Sequence, residues 1–161
     1  NCTDPNVGLS MNEDRTYLKC YMGDTGLLIS HAFTESEIET EDLYRQLILG
    51  RLSVNEGMIF ENAVMQTLVC NGYTPFFYTH YSVEKHRNDI EIDFLISNKS
   101  KTRYRIYPIE VKASDRYSIA SLNKFMEKFK DRIGQAYVID TKNYRRKEDV
   151  VYIPAYMTMC L

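Results

Sequence analysis

Asp93, Glu110 and Lys112 are the residues whose types and spacing can do chemistry, and that chemistry is metal-assisted attack on phosphate. In Ile90-Glu91-Ile92-Asp93-Phe94 the apolar residues alternate with the acids, so a strand here puts Ile90, Ile92 and Phe94 on one face and Glu91 and Asp93 on the other. The same rule sets Glu110 and Lys112 together, opposite Ile109 and Val111. A hairpin pairing the two strands lets Asp93 and Glu110 converge. Two carboxylates about 4 Å apart repel by about 4 kcal/mol at an effective dielectric near 20, so such a pair needs a proton or a cation. A hard divalent ion, Mg²⁺ or Mn²⁺, meets the need, because Mg²⁺ takes oxygen ligands and is often held by one or two carboxylates plus substrate phosphate. Lys112, about 7 Å along the strand from Glu110, is placed to orient a metal-bound water or to neutralise a phosphate in flight. These are the minimal parts for metal-dependent phosphodiester hydrolysis. The Glu-x-Lys triplet also reads as a same-face ion pair on a solvated sheet.

Around these residues the chain predicts a mixed α/β domain. A helix is expected over 55–71, where Asn55, Asn62 and Gln66 form a polar stripe and Ile59, Phe60, Ala63, Val64 and Leu68 an apolar face. Glu61 falls among apolar neighbours, where a carboxylate is costly unless its pKa shifts or a cation receives it, or it forms a salt bridge at the rim. Strands are expected over 75–81, 89–96, 103–112, 136–139 and 150–153, with a polar link at 97–102 and an amphipathic helix over 118–133. A strand, helical crossover and strand favour a parallel pair, and the hairpins before it antiparallel pairs, so the sheet is mixed. Upstream, 1–16 reads as a connecting arm and Tyr17–Met22 as a short strand. The acidic run 34–42 leads into a helix over 43–49, with negative charge at its favourable end.

At 161 residues and 44% hydrophobic, the chain suffices for one sizeable core, and a net charge of −2 gives no long-range field to attract a polyanion. The four cysteines have no metal-ligand spacing, and no apolar run is long enough for a membrane span, so we expect a cytoplasmic protein without membrane contact. The start at Asn1 leads us to expect a longer parent polypeptide.

Asp93 followed by Glu110-Val111-Lys112 across a hairpin, behind a helix bearing Glu61, resembles the PD-(D/E)XK nuclease superfamily. The resemblance implies a restriction-endonuclease-like mixed β-sheet flanked by helices, an αβββαβ core over 55–161. It also implies Asp93, Glu110 and Glu61 as metal ligands and Lys112 as the catalytic lysine. Ile92 stands where the motif name has proline. Gln135 and Tyr137 faintly echo an accessory motif of exonuclease-like members, and Tyr137 also suits the core.

The runs from Lys19 to Leu28, Gly57 to Asn62, Glu91 to Phe94, Ile109 to Ser114, Ala136 to Ile139 and Ile153-Pro154 resemble an uncharacterised domain at the C-terminus of bacterial and archaeal AAA+ ATPases. That resemblance implies an upstream ATPase module, to which residues 1–54 would be the link. This chain has no Gly-x-x-x-x-Gly-Lys-Ser/Thr loop and hence no ATP site of that kind.

Asp24-Thr25-Gly26 reads as a turn and helix cap, and His31, His80 and His86 as structural or exposed. Basic clusters at 85–87, 99–105 and 142–147, interleaved with Tyr104, Tyr107 and Tyr144, offer contacts to DNA or RNA and equally suit solvated loops. Two functions follow as expectations: a Mg²⁺- or Mn²⁺-dependent nuclease module, or an inactive nuclease-like fold binding nucleic acid or protein for the ATPase.

Overall fold

A computed structural model of the chain describes residues 1–6, 8–33, 41–42, 45, 56–97 and 105–161. The acidic run 34–42, the helix expected over 43–49 and the link at 97–102 fall almost wholly outside the described residues. Six strands form one sheet in the order β1-β2-β3-β4-β6-β5: β1 Phe76–Ser82, β2 Arg87–Ser97, β3 Ile106–Val111, β4 Ala136–Asp140, β5 Arg145–Lys147 and β6 Val150–Pro154. β1 to β3 run antiparallel, β3 and β4 parallel, β4 and β6 parallel, and β5 closes back on β6 antiparallel. The sheet is mixed, as the hairpin and crossover pattern predicts.

Helices cover both faces: α1 is Thr25–Phe33, α2 Glu56–Cys70 and α3 Ala120–Lys128. One core joins Leu122 and Phe125 of α3 to Tyr78, Ile90, Ile92, Leu95 and Val138. The other joins Val64 and Leu68 of α2 to Phe94, Ile96, Ile109, Ile139 and Ile153. Burying such aliphatic and aromatic side chains stabilises by roughly 1.5–3 kcal/mol each, which holds the two layers on the sheet.

Three expectations change. Tyr17–Met22 makes no ladder pairing with the described residues, so it is not a strand there. The helix expected over 118–133 stops at Lys128, and a 3₁₀ turn at Lys130–Arg132 follows. The expected arm folds onto the sheet: Cys2 and Leu9 are buried, and the Cys2 N–H donates to Phe77 O at 2.8 Å.

β2 also departs from strict alternation. Tyr78 pairs with Ile92 but Phe76 with Leu95, so three steps along β2 match two along β1. The extra residue is a bulge at Asp93 and Phe94. Ile90 and Ile92 pack with α3, whereas Phe94, expected beside them, packs with α2.

Candidate functional site

The bulge decides where Asp93 goes. The β2–β3 pairing ends at Phe94 and Ile109, and beyond it the Val111 N–H donates to Asp93 Oδ2 at 2.8 Å. A carboxylate oxygen thus takes the place of a strand carbonyl where the two strands part. The other oxygen, Oδ1, lies 3.7 Å from Lys19 Nζ. That ammonium also lies 3.2 Å from Glu61 Oε1 and 3.6 Å from Glu91 Oε1, so one lysine serves three acids.

Lys19 is delivered by α2. Asn62, only 2% exposed, accepts from the Met22 N–H at 2.9 Å and donates to Met22 O at 3.1 Å. One turn further, Gln66 Oε1 accepts from the Thr25 N–H at 3.2 Å and its hydroxyl at 2.9 Å. The polar stripe of the helix therefore clamps the 21–25 segment instead of facing water. Tyr21 follows, its hydroxyl donating to Glu61 Oε1. Burial, then this carboxylate, push the Tyr21 phenol well above its ordinary range.

Glu110 is 5% exposed. Its Oε1 meets Lys112 Nζ at 2.7 Å, and its Oε2 has no hydrogen-bond donor among the described residues. Burial first, then the nearby Asp93 charge, push its carboxyl up to about 7, against the pull of Lys112. Burial likewise raises Asp93, with Glu61 adding to it. Burial alone would depress Lys19, but Glu61, Asp93 and Glu91 together raise it. Four acids here face two lysines.

A cavity of about 560 Å³ opens between α2, the 19–22 segment and the ends of β2 and β3. Glu61, Asp93, Lys19 and Lys112 line it, with Met22, Leu28 and Met58 as apolar wall. Glu110 sits behind, on a strand whose register pairs it with Val138 of the α3-side core, and reaches the cavity through Lys112. Asp93, Glu61 and Lys112 thus share one cavity, and Glu110 is joined to it by charge and by the lysine.

The matching of residues 56–157 to a domain of unknown function, DUF4143, decides the family. The chain belongs to the DUF4143 family. No curated protein matches the chain, and no solved structure matches it. Within the DUF4143 match lie Glu61, Glu91, Asp93, Glu110 and Lys112, whereas Lys19 and Tyr21 precede it. Residue types alone did not single out Lys19 and Tyr21 as site groups. The signal available was the polar pair Asn62 and Gln66, one helical turn apart on a helix with a broad apolar face.

Other candidates of the DUF4143 domain are engaged elsewhere. Gln135 donates to the Ala136 carbonyl at 3.2 Å, and Tyr137 packs on the α2-side core. His80 pairs with Asp89 at 2.7 Å. Asp24 caps α1, accepting from the Leu27 N–H at 2.7 Å, as the Asp-Thr-Gly turn predicts. In the basic cluster 142–147, Lys142 donates to Asp115 O at 2.6 Å and Arg145 is bound to the buried Asp140 at 2.6 Å. Most of the 99–105 cluster lies outside the described residues, and Arg105 donates to Ile133 O at 2.9 Å.

Proposed function

We propose that this domain has a PD-(D/E)XK nuclease-like, restriction-endonuclease-like fold, and that Asp93, Glu110 and Lys112 carry out Mg²⁺- or Mn²⁺-dependent hydrolysis of phosphodiester bonds in DNA or RNA. We place it, on the separate resemblance to an uncharacterised C-terminal domain, at the C-terminus of an AAA+ ATPase. One observation carries the reading: Glu110, 5% exposed, keeps a carboxylate oxygen without a donor while Asp93 and Lys112 stand beside it. An acid buried in this way needs a proton or a cation.

Among the described residues no group of three or more His, Cys, Asp or Glu side chains forms a metal cage. The donors fit an ion that keeps its waters and takes one or two carboxylates. Asp93 and Glu110 would hold it, and when bound it supplies Lewis acidity and a more acidic water. Lys112 neutralises phosphate charge from the cavity side. The Val111 N–H fixes the direction of the Asp93 carboxylate. Glu61 acts one step back, through Lys19 and Tyr21.

A second reading, the inactive fold that binds nucleic acid or protein, is favoured by Lys19, which already answers three of the acids. A doubly charged ion and an ammonium about 4 Å apart repel by about 8 kcal/mol at an effective dielectric near 20, twice the value for single charges. The two do not share these oxygens.

The test incubates the domain with single- and double-stranded DNA and RNA, in Mn²⁺ or in EDTA, beside Lys112→Ala and Asp93→Ala. Cutting that needs Mn²⁺ and disappears in both variants is expected. Equal residual cutting in parent and variants would mark contamination and leave the inactive reading standing.

A further inference from the structure

We infer that Lys19 is the built-in counter-cation of this site and is displaced from Asp93 whenever a divalent ion binds there. The inference rests on the reading of Asp93 and Glu110 as an ion-binding pair. Lys19 lies outside the family match, on the 19–25 segment rather than on the sheet.

The geometry makes the point in three steps. Lys19 Nζ stands within 3.2 to 3.7 Å of Glu61, Glu91 and Asp93, the position from which a cation best compensates all three. Its contacts are graded: Glu61 is nearest, and the Asp93 contact is the longest. Releasing Asp93 leaves Lys19 its nearest contact, Glu61.

In the same position Nζ lies 5.5 Å from the centre of the Phe77 ring, which favours a cation over its face, a contact that does not depend on Asp93. The backbone that carries it is held independently, by the Asn62 and Gln66 bonds to Met22 and Thr25. Lys19 can thus release Asp93 by rotating about its own side-chain bonds, without unfolding the segment.

A competing cation predicts that removing it tightens ion binding, whereas a merely structural lysine predicts the opposite, because its loss loosens the acids. Calorimetric titration of the full chain with Mn²⁺ at about pH 8 distinguishes the two. Lys19→Met is expected to bind Mn²⁺ at least ~10-fold more tightly than the parent, the 1.4 kcal/mol per decade of affinity. Lys19→Arg, which keeps the charge, is expected to stay near the parent value.

Parent binding with equal or weaker binding by Lys19→Met would overturn the counter-cation role alone. No Mn²⁺ binding by either protein would overturn that role and the ion-binding reading beneath it. Should Lys19→Met fail to fold, the unsubstituted protein supplies the answer through ¹⁵N-lysine spectra. Saturating Mg²⁺ is expected to move the Lys19 ammonium signal toward that of a solvated lysine, and an unmoved signal would overturn the proposal.

Discussion

Two ion clusters in this molecule have the same parts and opposite balance. At the end of β4, Asp140 is fully buried and accepts from Tyr117 OH, from Arg145 Nη2 at 2.6 Å and from the Lys142 N–H at 2.9 Å. Near α2, Glu61 likewise accepts from a tyrosine, Tyr21, and from a cation, Lys19. In the first cluster burial would raise the acid, yet Arg145, Tyr117 and Lys142 hold it below the usual carboxylate range. In the second, burial prevails at Asp93 and Glu110, and both are raised. The first is closed, with an acid answered on every side. The second carries more negative charge than its lysines neutralise, and a buried oxygen of Glu110 has no donor. A cluster built only to hold the fold resembles the first, since unanswered buried charge costs stability.

The sharpest way to separate the two clusters is to break one ion pair in each. Lys112→Ala should lower Mn²⁺-dependent cutting by about 10²–10³-fold, the usual cost of losing a charge-stabilising donor, while leaving the unfolding midpoint in urea near pH 5 nearly unchanged, because the buried Glu110 there carries a proton and needs no cation. In the closed cluster the pattern reverses. Asp140→Asn leaves Arg145 without its carboxylate and should destabilise by about 3 kcal/mol in urea denaturation, with no change in Mn²⁺ affinity. Equal effects of the two substitutions on stability would erase the distinction.

Acidity gives a second contrast, because the two clusters respond to pH with opposite sign. Glu110 in the folded protein titrates at about 7, above its ordinary 4.5. The folded state therefore binds this proton more tightly, and the stability it brings is complete below 4.5 and lost as pH rises through 7. Up to about 3 kcal/mol is at stake if Glu110 alone titrates. Asp140 is lowered, so its contribution is present above its ordinary 3.8 and lost on further acidification. Thermal midpoints between about pH 4 and 8 should decline toward the alkaline side, and Glu110→Gln should flatten that decline. An unchanged slope in Glu110→Gln would place the titration elsewhere.

The smallest expected effect comes from the tyrosines. Tyr117→Phe and Tyr21→Phe each remove one hydrogen bond to a carboxylate and should cost about 1–2 kcal/mol in urea denaturation. Only Tyr21→Phe should also change Mn²⁺ affinity, because only its acid contacts Lys19.

Much of this arrangement was legible in the residues. Strict alternation around Glu110 and Lys112 set them opposite Ile109 and Val111, and the β3–β4 register agrees. The mixed sheet followed from hairpins and a helical crossover. The bulge was not legible, because Ile90, Ile92 and Phe94 are equally apolar and composition carries no register. β5 was missed for a related reason: Arg145-Arg146-Lys147 reads as a solvated loop, and only pairing with β6 makes it a strand. Lys19 and Tyr21 lie 42 and 40 residues from Glu61, a distance closed by tertiary packing alone. Asp140 escaped notice because a single acid at a strand end has no sequence signature until Arg145 and Tyr117 come together around it.

The most direct test is a crystal of the domain soaked in Mn²⁺ and read by anomalous scattering. The account predicts one strong peak bonded to carboxylate oxygens of Asp93 and Glu110, with Lys19 moved off Asp93. A map at saturating Mn²⁺ with no peak at these acids, and Lys19 still between Glu61, Glu91 and Asp93, would contradict it.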